Sequence, residues 1–268
     1  MTSLTQPIML APQDAAADWR VLPAFIPVGG MGVLAVNSFL LRGREPVLVD
    51  TGLAALGDAV LDAVSDEIDL ADLRWIWLSH TDADHIGNLE RVLARAPKAR
   101  VVTNFLGAGK MMMLGHDMAR VHVLDPGQAL ELSDRVLHPI RPPYYDAPET
   151  QGFIDSATRV LFAADAFGAL LPDPVDSVDA VDAGTLRDGL VAWSTIDAPW
   201  LQVADRGRLG TTLAAVDRLQ PCAILSGHLP HAGRDTGRLT REVHAAWVGG
   251  AASGIDPLAI EAVTAALT

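Results

Sequence analysis

Leu78-Ser79-His80-Thr81-Asp82-Ala83-Asp84-His85-Ile86-Gly87-Asn88 crowds four side chains able to bind metal, His80, Asp82, Asp84 and His85, into a single short turn. The run before it, Leu73 to Leu78, is apolar enough for a buried strand. The run after it, Leu89 to Ala96, repeats apolar residues at Leu89, Val92, Leu93 and Ala96, as a helix does. The polar quartet therefore occupies a strand-to-helix turn. Off an extended backbone His80 and Asp82 point the same way, and Asp84 and His85 at the mouth of the helix come back toward the same point. A carboxylate there also caps a helix, which accounts for one Asp. It leaves two imidazoles and a second carboxylate at the C-terminal end of an apolar strand, where α/β proteins bind ligands. That donor set suits one or two transition-metal ions.

Three more apolar strands end in chemistry. Val47-Leu48-Val49 runs into Asp50-Thr51-Gly52, the strand from Arg159 to Ala163 into Ala164-Asp165-Ala166-Phe167-Gly168, and Ala223-Ile224-Leu225 into Ser226-Gly227-His228. Together with His-x-Asp-x-Asp-His at 80 to 85, this order resembles the metallo-β-lactamase fold superfamily, whose usual motif is His-x-His-x-Asp-His. Asp82 stands where the second His is expected. A carboxylate there is similar to the flavodiiron and oxygen-binding di-iron branch, which carries Glu, and the stretch Leu161 to Gly168 resembles the block of that branch whose Asp bridges two irons. The branch's His-Trp-Pro-Asp/Glu segment corresponds here to Asp146-Ala147-Pro148-Glu149, so Asp146 replaces a His ligand; His138, upstream, is the competing candidate.

The resemblance covers about residues 20 to 235. It implies an α/β fold, a metallo-β-lactamase-like αββα four-layer sandwich, formed as a single domain over 1–268. It further implies one ion on His80, Asp82 and Asp146, a second on Asp84, His85 and His228, Asp165 between them, and Asp50 supporting the site from behind. His85 is not always engaged in the di-iron members, and His231 is a possible substitute for His228.

The totals agree with a globular chain. Its 268 residues and 28.4 kDa allow a sizeable core. A formal charge of −13 and a pI near 4.9 disfavour nucleic acid and anionic membranes as partners. One cysteine, Cys222, excludes an intramolecular disulfide and Cys-rich zinc or iron–sulfur sites. The N-terminus has no basic and apolar leader pattern, and no apolar run is long enough to span a bilayer, so a soluble cytoplasmic protein is expected.

Along the rest of the chain, residues 1–20 read as an irregular N-terminal arm. Residues 21–49 read as strand, turn, strand, turn, strand, a meander opening one sheet, and Gly29-Gly30-Met31-Gly32 lacks the spacing of a phosphate loop. Helical spacing recurs at 53–64, 185–193 and 209–219. Short strands are expected at 99–103, 120–124, 129–132 and 135–140, with a turn at Asp125-Pro126-Gly127. Met111-Met112-Met113 reads as adaptable core or a lid, Trp193 and Trp200 as core or pocket walls, and 240–268 as a C-terminal helical tail.

A carboxylate-rich donor set shifts metal preference toward iron, with manganese or zinc as alternatives. The first functional expectation is a non-haem di-iron protein that binds or reduces oxygen or a related small oxidant. Its electrons come from a separate donor protein, because no flavin is expected in this chain, which has neither the length nor the phosphate loop for a flavodoxin domain. The alternative is a hydrolase acting on an ester, lactone or phosphodiester small-molecule substrate through a metal-bridging hydroxide. A third reading is a degenerate, weakly metal-binding protein. A homodimer is in keeping with the di-iron relatives, and Tyr144 and Tyr145 are candidates to orient or protonate a bound oxygen.

Overall fold

The computed structural model describes residues 4–125, 127–232 and 235–250. The turn expected around Pro126 and the part of the helical tail beyond residue 250 lie outside the described residues.

Two large sheets are built by the motif strands. In the first, strands lie in the order Val121–Leu124, Arg100–Asn104, Trp75–Trp77, Val47–Val49, Ser38–Leu41, Trp19–Leu22 and Gln13–Ala16. The four strands from Val47–Val49 to Val121–Leu124 run parallel. In the second, the order is Leu130–Glu131, Val136–Ile140, Gly152–Asp155, Val160–Phe162 and Ala223–Leu225, the last pair parallel. A smaller sheet orders Ile8–Met9, Ala24–Val28, Gly32–Ala35 and Leu170–Leu171.

Side-chain alternation assigns each strand's two faces to different cores. Val47, Val49, Trp77 and Val102 pack inward with Val160, Phe162, Ala223 and Leu225 of the facing sheet, along with Phe39, Phe153 and Trp19. Leu48, Ile76 and Val101 face the other way, onto Leu61 and Val64 of the helix Gly57–Glu67 and Leu89 and Val92 of the helix Leu89–Arg95. Leu161 and Ile224 likewise turn outward, onto Leu186 and Leu190 of the helix Ala183–Asp197 and Leu209 and Leu213 of the helix Arg206–Leu219. Helix, sheet, sheet, helix is the αββα sandwich. The three apolar layers explain why these strands read as continuous hydrophobic runs: each is buried on both faces.

Two expectations are corrected. Residues 8–22 are not an irregular arm, since Ile8–Met9, Gln13–Ala16 and Trp19–Leu22 are strands. They are edge or near-edge strands, so a polar exposed face hides their apolar inward positions, notably fully buried Trp19. Nor is 21–49 a meander in one sheet. Ala24–Val28 and Gly32–Ala35 form a hairpin in the small sheet, while the flanking strands pair with each other across it. The Met triplet is divided by helical geometry, with Met111 buried in the core and Met112 and Met113 exposed on the helix Phe105–Met113. Among the described residues no helix is long and apolar enough to cross a membrane.

Candidate metal centre

The parallel strands place the chemistry. Val47–Val49, Trp75–Trp77, Val160–Phe162 and Ala223–Leu225 all end on the same edge of the sandwich, and Asp50, the 79–85 turn, Asp165 and His228 follow directly. The backbone there is held in unusual conformations. Asp50 (φ 56°), Ala164 (φ 48°) and Phe167 (φ 68°) lie in the left-handed region, conformations that persist only where the surroundings impose them. The 50–53 and 85–88 turns are laced together, with Thr51 N and Oγ1 donating to the His85 carbonyl at 2.6 and 3.0 Å. Asn88 Nδ2 donates to the carbonyls of Thr51 and Leu53, each at 2.8 Å. Gly87 lies so close to this turn that a Cβ would stand 2.4 Å from Ala54 N.

All seven residues singled out as ligands converge. His80, Asp82 and Asp146 form one group of donor atoms and Asp84, His85 and His228 another, while Asp165 groups with His80 and His85. Asp165 is divided between the two halves: Oδ2 lies 3.4 Å from His80 Nε2, and Oδ1 lies 3.3 Å from His85 Nε2 and 3.6 Å from His228 Nε2. His80 Nε2 is 3.5 Å from Asp146 Oδ2, and Asp84 Oδ2 is 3.7 and 3.6 Å from the Nε2 atoms of His85 and His228. These separations, 3.3 to 3.7 Å, are longer than good hydrogen bonds and lie at or just above the roughly 3.0–3.5 Å between two ligands about 2.1 Å from one ion. The buried atoms His85 Nε2 and Asp165 Oδ1 have no hydrogen-bond partner among the described residues. Orphaned donor atoms aimed at a common point are what a metal site presents without its ion, so the residues fit the group the sequence implies.

Asp146 and His138 are thereby separated. Asp146 joins the site, its other oxygen accepting from Thr150 Oγ1 at 2.9 Å. His138 stands exposed on the strand Val136–Ile140, paired with Ile154, and joins none of the ligand groups found among the described residues. His231 likewise contributes to none of these groups.

Behind the donors lies a relay that fixes the imidazoles. Asp50 Oδ2 is 2.9 Å from His85 Nδ1 and accepts from Ser79 Oγ at 2.7 Å, and its Oδ1 accepts from Ser79 N at 2.8 Å. Ser79 Oγ is in turn 3.0 Å from His80 Nδ1. A carboxylate only accepts, so His85 donates Nδ1–H to it. Ser79 donates to the same oxygen and therefore accepts from His80 Nδ1–H. His228 Nδ1 donates to the Ala35 carbonyl at 2.8 Å. All three imidazoles thus commit Nδ1 to a neighbour and turn Nε2 to the centre, the orientation metal-bound histidines require.

The electrostatics point the same way. Burial raises the Asp165 carboxyl's pKa, but His85, His80 and His228 outweigh it and hold that pKa well below the usual carboxylate range. Burial opposes the charged form of His228, but Asp165 pushes it up to about 9, and His85 is raised in the same manner by Asp165, Asp50 and Asp84. Asp82 is raised by burial, with Asp146 adding to the rise. A cluster of carboxylates that favours the charged forms of His85 and His228 is a site for cations.

Several supporting residues act through contacts the sequence did not show. Tyr144 does not face a ligand; its fully buried Oη accepts from Phe167 N at 2.6 Å and so anchors the turn that carries Asp165. Tyr145 packs on Trp200 and under Arg141. Asn37 Nδ2 donates to the carbonyls of Ser226 and Leu229 at 3.1 and 2.6 Å, pinning the His228 turn. Trp193 lies edge-on to His228, ring centroids 5.1 Å apart, and Gly168 leaves room for that contact. One turn on, Asp197 has a buried Oδ2 without a partner, and burial, reinforced by Asp165, pushes its pKa up to about 8. Each is an ordinary residue type at an ordinary spacing, and only the fold shows what it touches.

The sandwich and its metal-type centre define a metallo-β-lactamase-like domain, and the chain belongs to the ODP family beta lactamase group, whose family model matches residues 34–186. It is similar to the type A flavoprotein fprA of Rhodobacter capsulatus, 37% identical over 142 residues, which are 50% of this chain and 32% of the relative. Its fold is like that of the flavodiiron protein from Giardia intestinalis, with a TM-score of 0.76 at 16% identity over 90% of this chain and 60% of that one. It is also like the rubredoxin oxygen:oxidoreductase of Desulfovibrio gigas, with a TM-score of 0.72 at 17% identity over 87% and 60%. The chain spans 23% to 34% of the length of the curated relatives it matches.

Proposed function

We propose that this chain holds a pair of iron ions and binds and reduces oxygen or a related small oxidant, with electrons delivered by a separate donor. The observation that carries this reading is Asp165, a single buried carboxylate with one oxygen toward His80 and the other toward His85 and His228. Such a group serves two ions. The four carboxylates Asp82, Asp84, Asp146 and Asp165 balance the charge of two divalent ions, and their hard oxygens favour iron over zinc. The names of the similar proteins, a type A flavoprotein, a flavodiiron protein and an oxygen oxidoreductase, support the same chemistry.

Iron ions bound there would supply electrons and open coordination positions to the oxidant. The chain's own residues do the rest. His80 and His85 are held in the ligating tautomer by Ser79 and Asp50, and His228 by Ala35. Tyr144 fixes the Asp165 turn. Burial of His80, His85, Asp165 and His228 keeps bulk water from the inner side of the centre. Oxygen reduction consumes protons, and the carboxyl of Asp197, whose pKa burial raises, stands within electrostatic reach of Asp165 and His228 as a group that can hold one.

The test is oxygen consumption by iron-loaded protein supplied with a chemical reductant. Consumption that depends on iron and is lost in Asp165→Ala is expected. Iron-loaded, reduced protein that leaves oxygen untouched, while the zinc-loaded form hydrolyses esters or lactones, would overturn the proposal.

A further inference from the structure

The two halves of the centre are built unequally. Asp84, His85 and His228 offer two imidazoles and one carboxylate; His80, Asp82 and Asp146 offer one imidazole and two carboxylates. The first group is braced by its imidazoles: the His85 and His228 side chains are 1% and 3% exposed, each Nδ1 is tied to a buried acceptor at 2.9 and 2.8 Å, and Asp84 is 28% exposed. The second has one such imidazole, His80, 1% exposed with Nδ1 3.0 Å from Ser79 Oγ, and opens to solvent chiefly through Asp82. The Asp82 side chain is 56% exposed, stands at the start of the helix Ala83–Ile86 and makes no capping hydrogen bond. Asp146 is 17% exposed, sits on the loop between the strands Val136–Ile140 and Gly152–Asp155, and among the described residues is steadied by the Thr150 hydroxyl.

Donor type and rigidity act together here. Imidazole nitrogens strengthen binding of later divalent transition metals, whereas carboxylate oxygens discriminate little among them and suit manganese(II) as well as iron(II). Ligands fixed by surrounding hydrogen bonds bind roughly ten- to a hundredfold more tightly than the same ligands left free. Resting on the dinuclear reading, we infer that the centre fills in a fixed order: the inner half of Asp84, His85 and His228 first and tightly, the outer half of His80, Asp82 and Asp146 second. The outer ion exchanges with solvent and is replaceable by manganese(II), so the chain carries a mixed iron–manganese pair when manganese is supplied. Asp146 is the residue that sets the difference, by placing an oxygen where a nitrogen would tighten the outer half.

The experiment is anaerobic titration of the metal-free full chain with iron(II), followed by calorimetry, and then dialysis of the two-iron protein against manganese(II). Metal content and the manganese electron paramagnetic resonance signal provide the readouts. Two binding phases separated by at least about tenfold, and exchange of one iron equivalent for manganese, are expected. Asp146→His should bring the two phases together and block the exchange, and Asp82→Ala should remove the weak phase while leaving the tight one. Two equivalents of equal affinity, or an exchange that Asp146→His leaves unchanged, would overturn the ordering while leaving a dinuclear centre standing. Uptake of one equivalent or none by the unsubstituted protein would overturn both.

Discussion

Replacing Asp50 by Asn tests whether proton polarity, rather than shape, makes this centre bind metal. Asn is nearly isosteric and satisfies every hydrogen bond Asp50 makes. Its carbonyl accepts from Ser79 N, and its amide donates toward Ser79 Oγ and His85 Nδ1, the partners that now lie 2.7 and 2.9 Å from Oδ2. The direction of those bonds reverses. His85 must accept at Nδ1 and so carries its proton on Nε2, the atom meant for metal. Ser79 Oγ, now an acceptor from the introduced amide, turns its own hydrogen to His80 Nδ1, 3.0 Å away, and His80 is forced into the same wrong tautomer. Loss of an orienting partner costs about ten- to a hundredfold in affinity per metal-bound histidine, or ~1.4–2.7 kcal/mol each. Because both losses pass through one carboxylate they are not independent, and a fall of at least about a hundredfold is expected for the centre as a whole. Zinc(II) affinity measured by chelator competition, beside circular dichroism of the metal-free protein, separates this effect from unfolding. A folded Asp50→Asn protein with affinity within about threefold of the unsubstituted chain would refute the tautomer argument.

Two further outcomes follow from the surroundings of the site. Asp197 ionises near pH 8 in the fold against about 4 in an unfolded chain, so between those values the folded state holds a proton the unfolded state has lost. Its contribution to stability is fully present below about pH 4 and is lost as pH rises through 8. In metal-free protein Asp197→Asn should therefore flatten the decline between pH 6 and pH 8, by less than ~1.4 kcal/mol per pH unit because the residue is partly open to solvent; denaturant titrations with identical slopes against pH would refute it. Gly168→Ala would put a Cβ 2.4 Å from Trp193 Cδ1 and 2.7 Å from the His228 Cβ. A destabilisation of ~1–3 kcal/mol, with weakened binding at the half that contains His228, is expected from thermal unfolding and metal titration, and an unperturbed variant would mean that Trp193 does not brace His228.

What could be read from the sequence was whatever the two-faced burial of the strands made loud. Val47–Val49, Trp75–Trp77, Val160–Phe162 and Ala223–Leu225 are apolar without interruption because both faces are covered, and each is followed by a polar residue of the candidate centre, so the fold and these residues were legible together. The edge strands at 8–22 were not, because one apolar position in two on a short strand does not stand out from a polar loop. The hairpin Ala24–Val28 and Gly32–Ala35 was legible as strands but not as members of another sheet, since pairing partners such as Leu170–Leu171 lie far along the chain. Asp146 could be placed only by the resemblance, and the geometry that sets it beside His80 rather than exposed His138 comes from tertiary structure alone. The supports of the centre, Ser79, Asn37, Tyr144, Trp193 and Asp197, depend on contacts across the two halves of the sandwich that no local spacing encodes.

A dinuclear iron centre is tested most directly by the metal content of the chain purified from cultures supplied with both iron and zinc, with an optical spectrum taken before and after anaerobic reduction and readmission of air. Near two metal ions per chain, iron foremost, and a charge-transfer absorption that bleaches on reduction and returns with oxygen are expected. Two zinc ions with no colour, or substoichiometric metal of every kind, would contradict it.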